Sequence, residues 1–238
     1  SGNGQRWFSE DRKMKKRGLK EPSLPKELFP VKLGKEFLEE AKEQETEVVR
    51  RKIEKVYLTK FDGSGMSFWQ TVFQNCRFEG CDFHKAFFQD VKFVNCSFCH
   101  SSFCDANFKS CIFESCKGRG ADFYGSSLYH VQFQDCDMGE AVFDAARFSS
   151  VKGQNTDFSK AGFSKCRMSN TVWEQVCFRE ANFFKTVLKD QDFTKSSIEG
   201  IVLSDERGEL EGAVVNTFQA LGLAKRLGLV IQDSGENF

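Results

Sequence analysis

The sequence predicts an all-β solenoid, in which a short repeat coils the chain along one axis instead of around a single globular core. Every fifth residue from 58 to 203 is apolar or glycine in one unbroken phase, and 19 of these 30 positions are phenylalanine. The residue two places earlier is nearly always small or compact, and similar residues recur at a spacing of 20. A fixed short period of this kind is typical of proteins whose units stack on their neighbours.

The five-residue unit combines a three-residue strand with a two-residue corner. Side chains two apart on an extended segment face the same way, so the small residue and the following phenylalanine both face inward. In one repeat, Cys81 and Phe83 face inward, Asp82 faces solvent, and His84 and Lys85 form the corner. Corner positions are rich in Gly, Asn, Asp, Ser and Lys, which favour tight turns.

The spacing of 20 predicts four repeats per coil, because residues that stack on adjacent coils should resemble each other. A spacing of 15 mixes residue types that a spacing of 20 keeps together. Two inward columns illustrate this: Ala121, Ala141, Ala161 and Ala181, and Cys76, Cys96, Cys116 and Cys136. With about 4.8 Å between stacked strands, about seven coils give a rod on the order of 35 Å long.

Three positions of the phase carry glycine: Gly63, Gly118 and Gly153. Loss of a buried phenylalanine costs about 3–5 kcal/mol unless neighbours fill the volume. Met138 and Trp173 lie one coil beyond Gly118 and Gly153, so we expect them to lean into the vacated space. The alternative is a backbone bulge that exposes a binding loop at these positions.

The N-terminal part predicts a tail followed by a cap. Residues 1–33 are expected to form a basic flexible tail, and Met14 resembles a natural start, which would make residues 1–13 an added segment. Residues 34–55 are highly charged and predict a capping helix on the first coil of the repeat tract, which spans residues 56–205. The apolar residues of this predicted helix are Phe37, Leu38, Ala41, Val48, Val49 and Ile53.

The C-terminal residues 206–238 predict a helical cap or a dimerisation segment. Apolar residues follow a helical spacing there and end near a glycine, Gly228. The residues expected to form this cap or dimer contact are Val214, Val215, Phe218, Leu221, Leu227 and Val230.

The tandem unit, as in residues 81–85 and 106–110, resembles the pentapeptide-repeat family over residues 58–203. The resemblance implies a right-handed quadrilateral β-helix, here of about seven coils with helical caps at both ends. Residues 212–220 and 227–231 are similar to the terminal segment of bacterial members, including quinolone-resistance types. That segment often builds a two-fold dimer in those relatives, so the resemblance implies a homodimer; a monomeric lid that buries the same residues is the alternative.

Composition and motif content predict a soluble, unexported protein that is not an enzyme. The 34 basic and 34 acidic residues cancel, so there is no global field to attract nucleic acid or a membrane surface. The sequence has no apolar run of about 18 residues and no secretory leader pattern. It also lacks a Gly-rich phosphate loop, a GxSxG motif and an HExxH motif. We therefore expect no enzyme activity, no catalytic residue, no cofactor, no metal, and no direct contact with nucleic acid or membrane.

Most of the ten cysteines occupy the small inward slot, where a thiol acts as a compact hydrophobe. Reduced, unpaired thiols are expected, which suits a reducing cytosol. His84 and Cys104 share one corner position on adjacent coils, with Cys99 at a neighbouring corner. A thiol or metal sensor is one interpretation of this group, and chance placement is the other. The seven inward cysteines are Cys76, Cys81, Cys96, Cys111, Cys116, Cys136 and Cys166.

The leading functional hypothesis is a non-enzymatic protein-interaction scaffold whose partner is unknown. Its candidate anchors are large apolar side chains at outward or corner positions: Trp69, Phe87, Tyr124, Tyr129 and Phe184. Partial burial beneath the terminal segments is the alternative for these residues.

Family resemblance implies a second hypothesis, a DNA-mimicking binder of a type II topoisomerase, either DNA gyrase or topoisomerase IV. Mimicry requires a surface dense in negative charge. Residues 56–206 carry 16 basic and 19 acidic side chains, which departs from that requirement.

Overall fold

Parallel strands from successive coils stack along one axis in the computed structural model, which describes residues 18–204, 208–226 and 228–232. Phe68 pairs with Phe88, and Phe88 with Phe108, so strands in register are 20 residues apart. The same spacing holds through the isolated bridges of the other walls. The four-sided solenoid predicted from the sequence is confirmed.

The strands are short, and a helix lies near each end of the stack. In chain order the elements are β1 (Phe29–Val31), α1 (Gly34–Glu43), β2 (Val48–Val49), β3 (Arg51–Glu54), β4 (Tyr57–Thr59), β5 (Ser67–Trp69), β6 (Val72–Gln74), β7 (Arg77–Glu79), β8 (Phe87–Gln89), β9 (Lys92–Val94), β10 (Asn107–Glu114), β11 (Ser127–Gln134), β12 (Arg147–Ser149), β13 (Lys152–Gln154), β14 (Arg167–Ser169), β15 (Val172–Glu174) and α2 (Thr217–Arg226).

Four walls enclose the core, and each is centred on every twentieth residue of the phase. The centres run 48–188 in wall 1, 53–193 in wall 2, 58–198 in wall 3 and 63–203 in wall 4. The middle residue of each repeat, one place before the centre, points outward from its wall. Any surface site must therefore be built from these middle residues and from the corners.

Phenylalanine rings fill the interior in two arrangements. Along the axis they stack, as Phe68 does on Phe88 with centroids 4.9 Å apart and planes 4° apart. Around one coil they meet edge to face, as Phe93 and Phe98 do at 5.1 Å and 89°. Both geometries are favourable for aromatic pairs and add to the burial of apolar area. The core is thus continuous from coil to coil.

Most of the described corners end with a residue in the left-handed region of φ, for example Asn75 at 55° and Asn95 at 51°. Glycine, Asn and Asp tolerate this conformation best and occupy part of these positions, and other polar residues such as Lys85 occupy the rest. Corner side chains also bond between coils, since Asn95 Nδ2 donates to Asn75 Oδ1 at 2.7 Å and Asn155 Nδ2 to Asp135 Oδ1 at 2.6 Å. The corners therefore reinforce the stack.

Large neighbours fill the space at the glycine positions, as predicted. A Cβ added at Gly118 would lie 2.6 Å from Met138 Sδ, and one at Gly153 would lie 2.8 Å from Trp173 Cε3. The Trp173 indole N–H also needs a partner inside the core, and it donates to Gln191 Oε1 at 3.0 Å. Local repacking, rather than an exposed loop, replaces the missing rings.

The prediction of a helix over residues 34–55 is wrong in its second half. Helix α1 ends at Glu43, and β2 and β3 pair with β5 and β6 as part of the first coil. Val48 and Ile53 are buried because they lie on the same five-residue phase as the centres that follow them. The charged and apolar residues that resembled a helix therefore belong to two further five-residue repeats, centred on Val48 and Ile53, at the start of the solenoid.

The prediction of a flexible tail over residues 1–33 is wrong for residues 18–33. The segment 18–31, which we call the strap, runs along the corner between walls 1 and 2. The Ser23 N–H donates to Asp90 Oδ1 at 2.9 Å, the Lys20 N–H donates to His130 Nδ1 at 3.3 Å, and β1 pairs with β3. Residues 1–13 and Met14 lie outside the described residues.

The C-terminal segment first extends the coil and only then forms a helix. Val214 pairs with Asp192, and its N–H donates to the Gln191 carbonyl at 2.8 Å. Asn216 and Gln219 then bond reciprocally, side chain to backbone N–H, at 3.0 and 2.8 Å, which fixes the start of α2. The helix predicted to include Val214 therefore begins three residues later, at Thr217.

Candidate protein-binding surfaces

Tyr124 and Phe184 occupy the same corner column of wall 4, three coils apart, and remain exposed. Their exposed fractions are 51% and 39%. At about 4.8 Å per coil the two positions are about 14 Å apart along the axis. Between them lie Asp144 and Ser164, held together by a hydrogen bond from the Ser164 N–H to Asp144 Oδ1 at 2.7 Å. The two rings thus stand at a fixed separation.

The outward column of wall 4 between these rings lacks charge. Val142, Gly162, Asn182 and Val202 follow Asp122 in register, one per coil. Val202 is 43% exposed, and Val142 and Gly162 are half-buried. We call Tyr124, Val142, Gly162, Phe184 and Val202 the apolar wall. Only the two rings were predicted from the sequence, although the apolar or glycine residues at the three outward positions indicate the rest of this surface.

Of the other three candidate anchors, Phe87 lies on the outer face of wall 1, and Trp69 and Tyr129 lie at the corner between walls 1 and 2. Trp69 and Phe87 are half-buried against each other, with centroids 4.9 Å apart. Tyr129 is exposed, and its ring packs on His130 at 4.2 Å, where the strap contacts the solenoid. The structure therefore divides the five predicted anchors between two sites.

The acidic side chains of wall 3 have a cationic partner. Arg119 lies 3.5 Å from Asp137, 2.8 Å from Glu140 and 4.0 Å from Asp157. These carboxylates, Asp137 foremost, raise the pKa of Arg119, so the guanidinium stays charged among them. A wall with compensated charge differs from the uniform negative charge of a DNA duplex.

The structure does not activate the thiol that the sequence paired with His84. Cys104 Sγ donates to Asp122 Oδ2 at 3.1 Å, and burial, together with that carboxylate, raises the pKa of the Cys104 thiol. Reactive cysteines require the opposite shift. Within the described residues no group of three His, Cys, Asp or Glu side chains could hold a metal ion.

The inward cysteines are buried thiols. Burial raises the pKa of Cys111 and of Cys166 to about 12. Their S–H groups donate to backbone carbonyls within the stack, as Cys166 does to Phe143 at 3.0 Å. All ten cysteines are unpaired.

A groove of about 700 Å³ separates α2 from the last coil. Its floor includes the buried Ile198 and Ile201, and Phe218, which is 85% exposed, stands at its edge. Of the other predicted cap residues, Leu221 and Val230 are exposed and Val215 packs against the core. Leu227 lies outside the described residues.

The residues that the structure describes include no helix long and apolar enough to cross a membrane.

Comparison with known proteins identifies the repeat. The family model described as "Pentapeptide repeat region" matches residues 66–143. A trypsin-treated form of QnrB1, described as a plasmid-mediated fluoroquinolone resistance protein, is 22% identical, with 78% of this chain and 98% of that chain covered and a TM-score of 0.43.

Two further solved structures are similar at lower identity. HetL of the cyanobacterium Nostoc, described as involved in heterocyst differentiation regulation, is 12% identical over 70% of this chain and 90% of that chain, with a TM-score of 0.26. A pentapeptide-repeat protein of the Arabidopsis thaliana thylakoid lumen is 13% identical over 40% of this chain and 67% of that chain, with a TM-score of 0.38. No curated protein matches the chain. The five-residue phase and the four-walled coil agree with this match, which identifies residues 66–143 as a pentapeptide repeat region.

Proposed function

We propose that the protein is a non-enzymatic protein-interaction scaffold that binds its partner through the apolar wall. The observation that carries this proposal is the uncharged outward column of wall 4, from Val142 to Val202, which is flanked by the exposed rings of Tyr124 and Phe184. Interface cores are depleted of charge and rich in aromatic side chains. Tyrosine is also among the residues that contribute most to binding energy.

Rigidity favours this wall as a binding surface. Its backbone is tied to the coils on both sides; for example, the Phe163 N–H donates to the Asn182 carbonyl at 2.7 Å and the Gly162 N–H to the Ala141 carbonyl at 2.9 Å. Little conformational entropy is then lost on binding, because the surface is already ordered. The absence of a side chain at position 162 leaves room for the Asp144 carboxylate, since a Cβ there would lie 2.7 Å from Asp144 Oδ1.

Affinity capture from the host lysate tests the proposal. The native protein is compared with a Tyr124→Ser, Phe184→Ser variant and with Tyr57→Ser as the matched control, since Tyr57 is similarly exposed but lies on wall 3. We expect one or more proteins to be retained by the native chain and the control and lost by the double variant. Identical capture by all three would contradict the role of the apolar wall.

We further propose that two copies pair through the C-terminal segment. Phe218, Leu221, Leu229 and Val230 are all exposed on or just after α2, beside the groove over Ile201. A cluster of exposed apolar side chains of this kind is typical of an interface. The segment also covers the last coil in part, since Val215 and Leu223 pack against the core, as a monomeric lid would.

The other two hypotheses receive less support. Topoisomerase binding by DNA mimicry would require dense negative charge, whereas Arg119 compensates wall 3 and the apolar wall has little charge. Inhibition of DNA gyrase or topoisomerase IV by the purified protein would support the topoisomerase-binding hypothesis. A thiol or metal sensor would require an activated Cys104, and its thiol is instead held protonated beside Asp122. Ten unpaired cysteines favour a reducing, cytoplasmic location.

A further inference from the structure

The strap lies in a groove whose side chains form hydrogen bonds to its main chain. Two strap N–H groups donate to the solenoid, from Lys20 to His130 and from Ser23 to Asp90, and the Ser23 carbonyl accepts from Gln70 Nε2 at 3.0 Å. Main-chain contacts of this kind do not depend on the sequence of the bound segment. A different extended chain could make them equally well.

Outward residues along the path of the strap are buried, although outward positions of a solenoid normally face water. Ile112 and Gln132 of wall 2 and His130 of the adjoining corner are each less than a tenth exposed. Leu19 of the strap lines a pocket of about 150 Å³ together with Val151, Val172 and neighbouring residues. The groove therefore accepts apolar side chains at intervals along an extended segment.

The strap fits this groove incompletely. Gln132 Nε2 and Trp69 Nε1 are buried, and neither has a hydrogen-bond partner among the described residues. Gln132 lies two residues from His130, which accepts the Lys20 N–H. Trp69 directly precedes Gln70, which donates to the Ser23 carbonyl. A buried donor without an acceptor is costly, and a chain that offered a carbonyl at each place would remove that cost.

We propose that the corner between walls 1 and 2 is a binding groove for an extended, leucine- and proline-containing segment of a partner protein, and that the strap occupies it in cis. The strap itself shows the chemistry that fits, since Leu19, Pro22, Leu24, Pro25 and Leu28 are all half-buried along it. The partner segment displaces the strap between residues 18 and 28, while β1 remains paired with β3. This inference rests on the proposed scaffold function and names one kind of partner for it.

Fluorescence anisotropy tests the groove with a labelled synthetic peptide of residues 18–28 as the probe. The full-length native chain is compared with a Leu19→Ser, Ser23→Pro variant, which loses the pocket contact and the N–H that Asp90 accepts. Because the cis competitor is weakened, the variant should bind the peptide at least ten-fold more tightly than the native chain. Adding Ile112→Lys, an outward substitution, should reverse this gain, and a peptide with its three leucines changed to serine should bind at least ten-fold more weakly.

Equal binding by the native and strap-weakened chains, or no effect of Ile112→Lys, would overturn the proposal. A native-like circular dichroism spectrum and a cooperative thermal transition verify that each variant retains the solenoid. A Tyr124→Ser, Phe184→Ser variant in the strap-weakened background should bind the peptide as before, because wall 4 is a separate surface. If the strap-weakened chain does not bind the peptide while the native chain still captures a partner through the apolar wall, the groove proposal is refuted and the scaffold proposal is not.

Discussion

Replacing Gly153 with alanine should destabilise the protein although it adds a single methyl group. The added Cβ would lie 2.8 Å from Trp173 Cε3, 3.0 Å from Trp173 Cζ3 and 3.1 Å from Val176 Cγ2. The indole cannot easily move, because its N–H is bonded to Gln191 and its ring meets Phe178 edge to face at 5.2 Å. Overpacking of a dense core costs about 1–3 kcal/mol. We expect a net loss of about 1–2 kcal/mol, since alanine also restricts the unfolded chain by about 0.4–1 kcal/mol.

Urea unfolding followed by circular dichroism measures this free energy. Gly222→Ala is the control: nothing lies within 4 Å of a Cβ at that helical position, so it should stabilise α2 by up to about 1 kcal/mol. In a Trp173→Leu background, the cost of Gly153→Ala should fall by about 1 kcal/mol because the clashing ring is absent. A neutral Gly153→Ala, or the same cost in both backgrounds, would refute the idea that Trp173 fills the glycine position.

Three further predictions follow from individual contacts. Burial and the charge of Lys20 lower the pKa of His130. The neutral ring, which accepts the Lys20 N–H, therefore prevails above about pH 6.5. Docking of the strap should weaken as the pH falls below that value, because a protonated ring cannot accept this hydrogen bond. The protection factors of the Lys20 and Ser23 amides, measured against the intrinsic exchange rate at each pH, should fall at acid pH in the native chain, and a His130→Phe variant should lose this dependence. Light scattering should give twice the monomer mass for the native chain and the monomer mass for a Phe218→Ser, Val230→Ser variant; a native monomer would refute pairing. Titration with a thiol reagent should modify at most three cysteines in the folded protein and all ten in denaturant, and rapid reaction of more than three would contradict the packing of the inward thiols.

The repeat geometry could be predicted because its signals are local and redundant. The inward residue at every fifth position defines the strand and the corner of each repeat. The similarity of residues 20 positions apart shows that four repeats make one coil. The same columns identified Met138 and Trp173 as the side chains that fill the spaces at Gly118 and Gly153. Val48 was misassigned because two repeats rich in charge also satisfy a helical spacing.

The path of the strap could not be read from the sequence. Its contacts join backbone groups to Asp90 and His130, so they leave no periodic pattern. The half-burial of Trp69 and Phe87 was missed for another reason: the two rings pack on each other at a sequence separation of 18 rather than 20.

Diagonal contacts between adjacent coils of one wall were equally difficult to foresee. Asp122 reaches Cys104 from the outward position of the next coil, at a sequence separation of 18 rather than 20. The apolar wall, by contrast, was readable at Val142, Gly162 and Val202, whose small size kept them from being considered as anchors.

Site-specific photo-crosslinking in the host tests the binding role of the apolar wall most directly. A photoreactive phenylalanine derivative replaces Val142 in one variant and Ser97, an outward residue of wall 3, in the other. We predict that irradiation links a partner protein to the chain with the probe at position 142 and not to the chain with the probe at position 97. Adducts of equal yield from both positions, or an adduct from position 97 alone, would contradict the assignment of wall 4 as the binding surface.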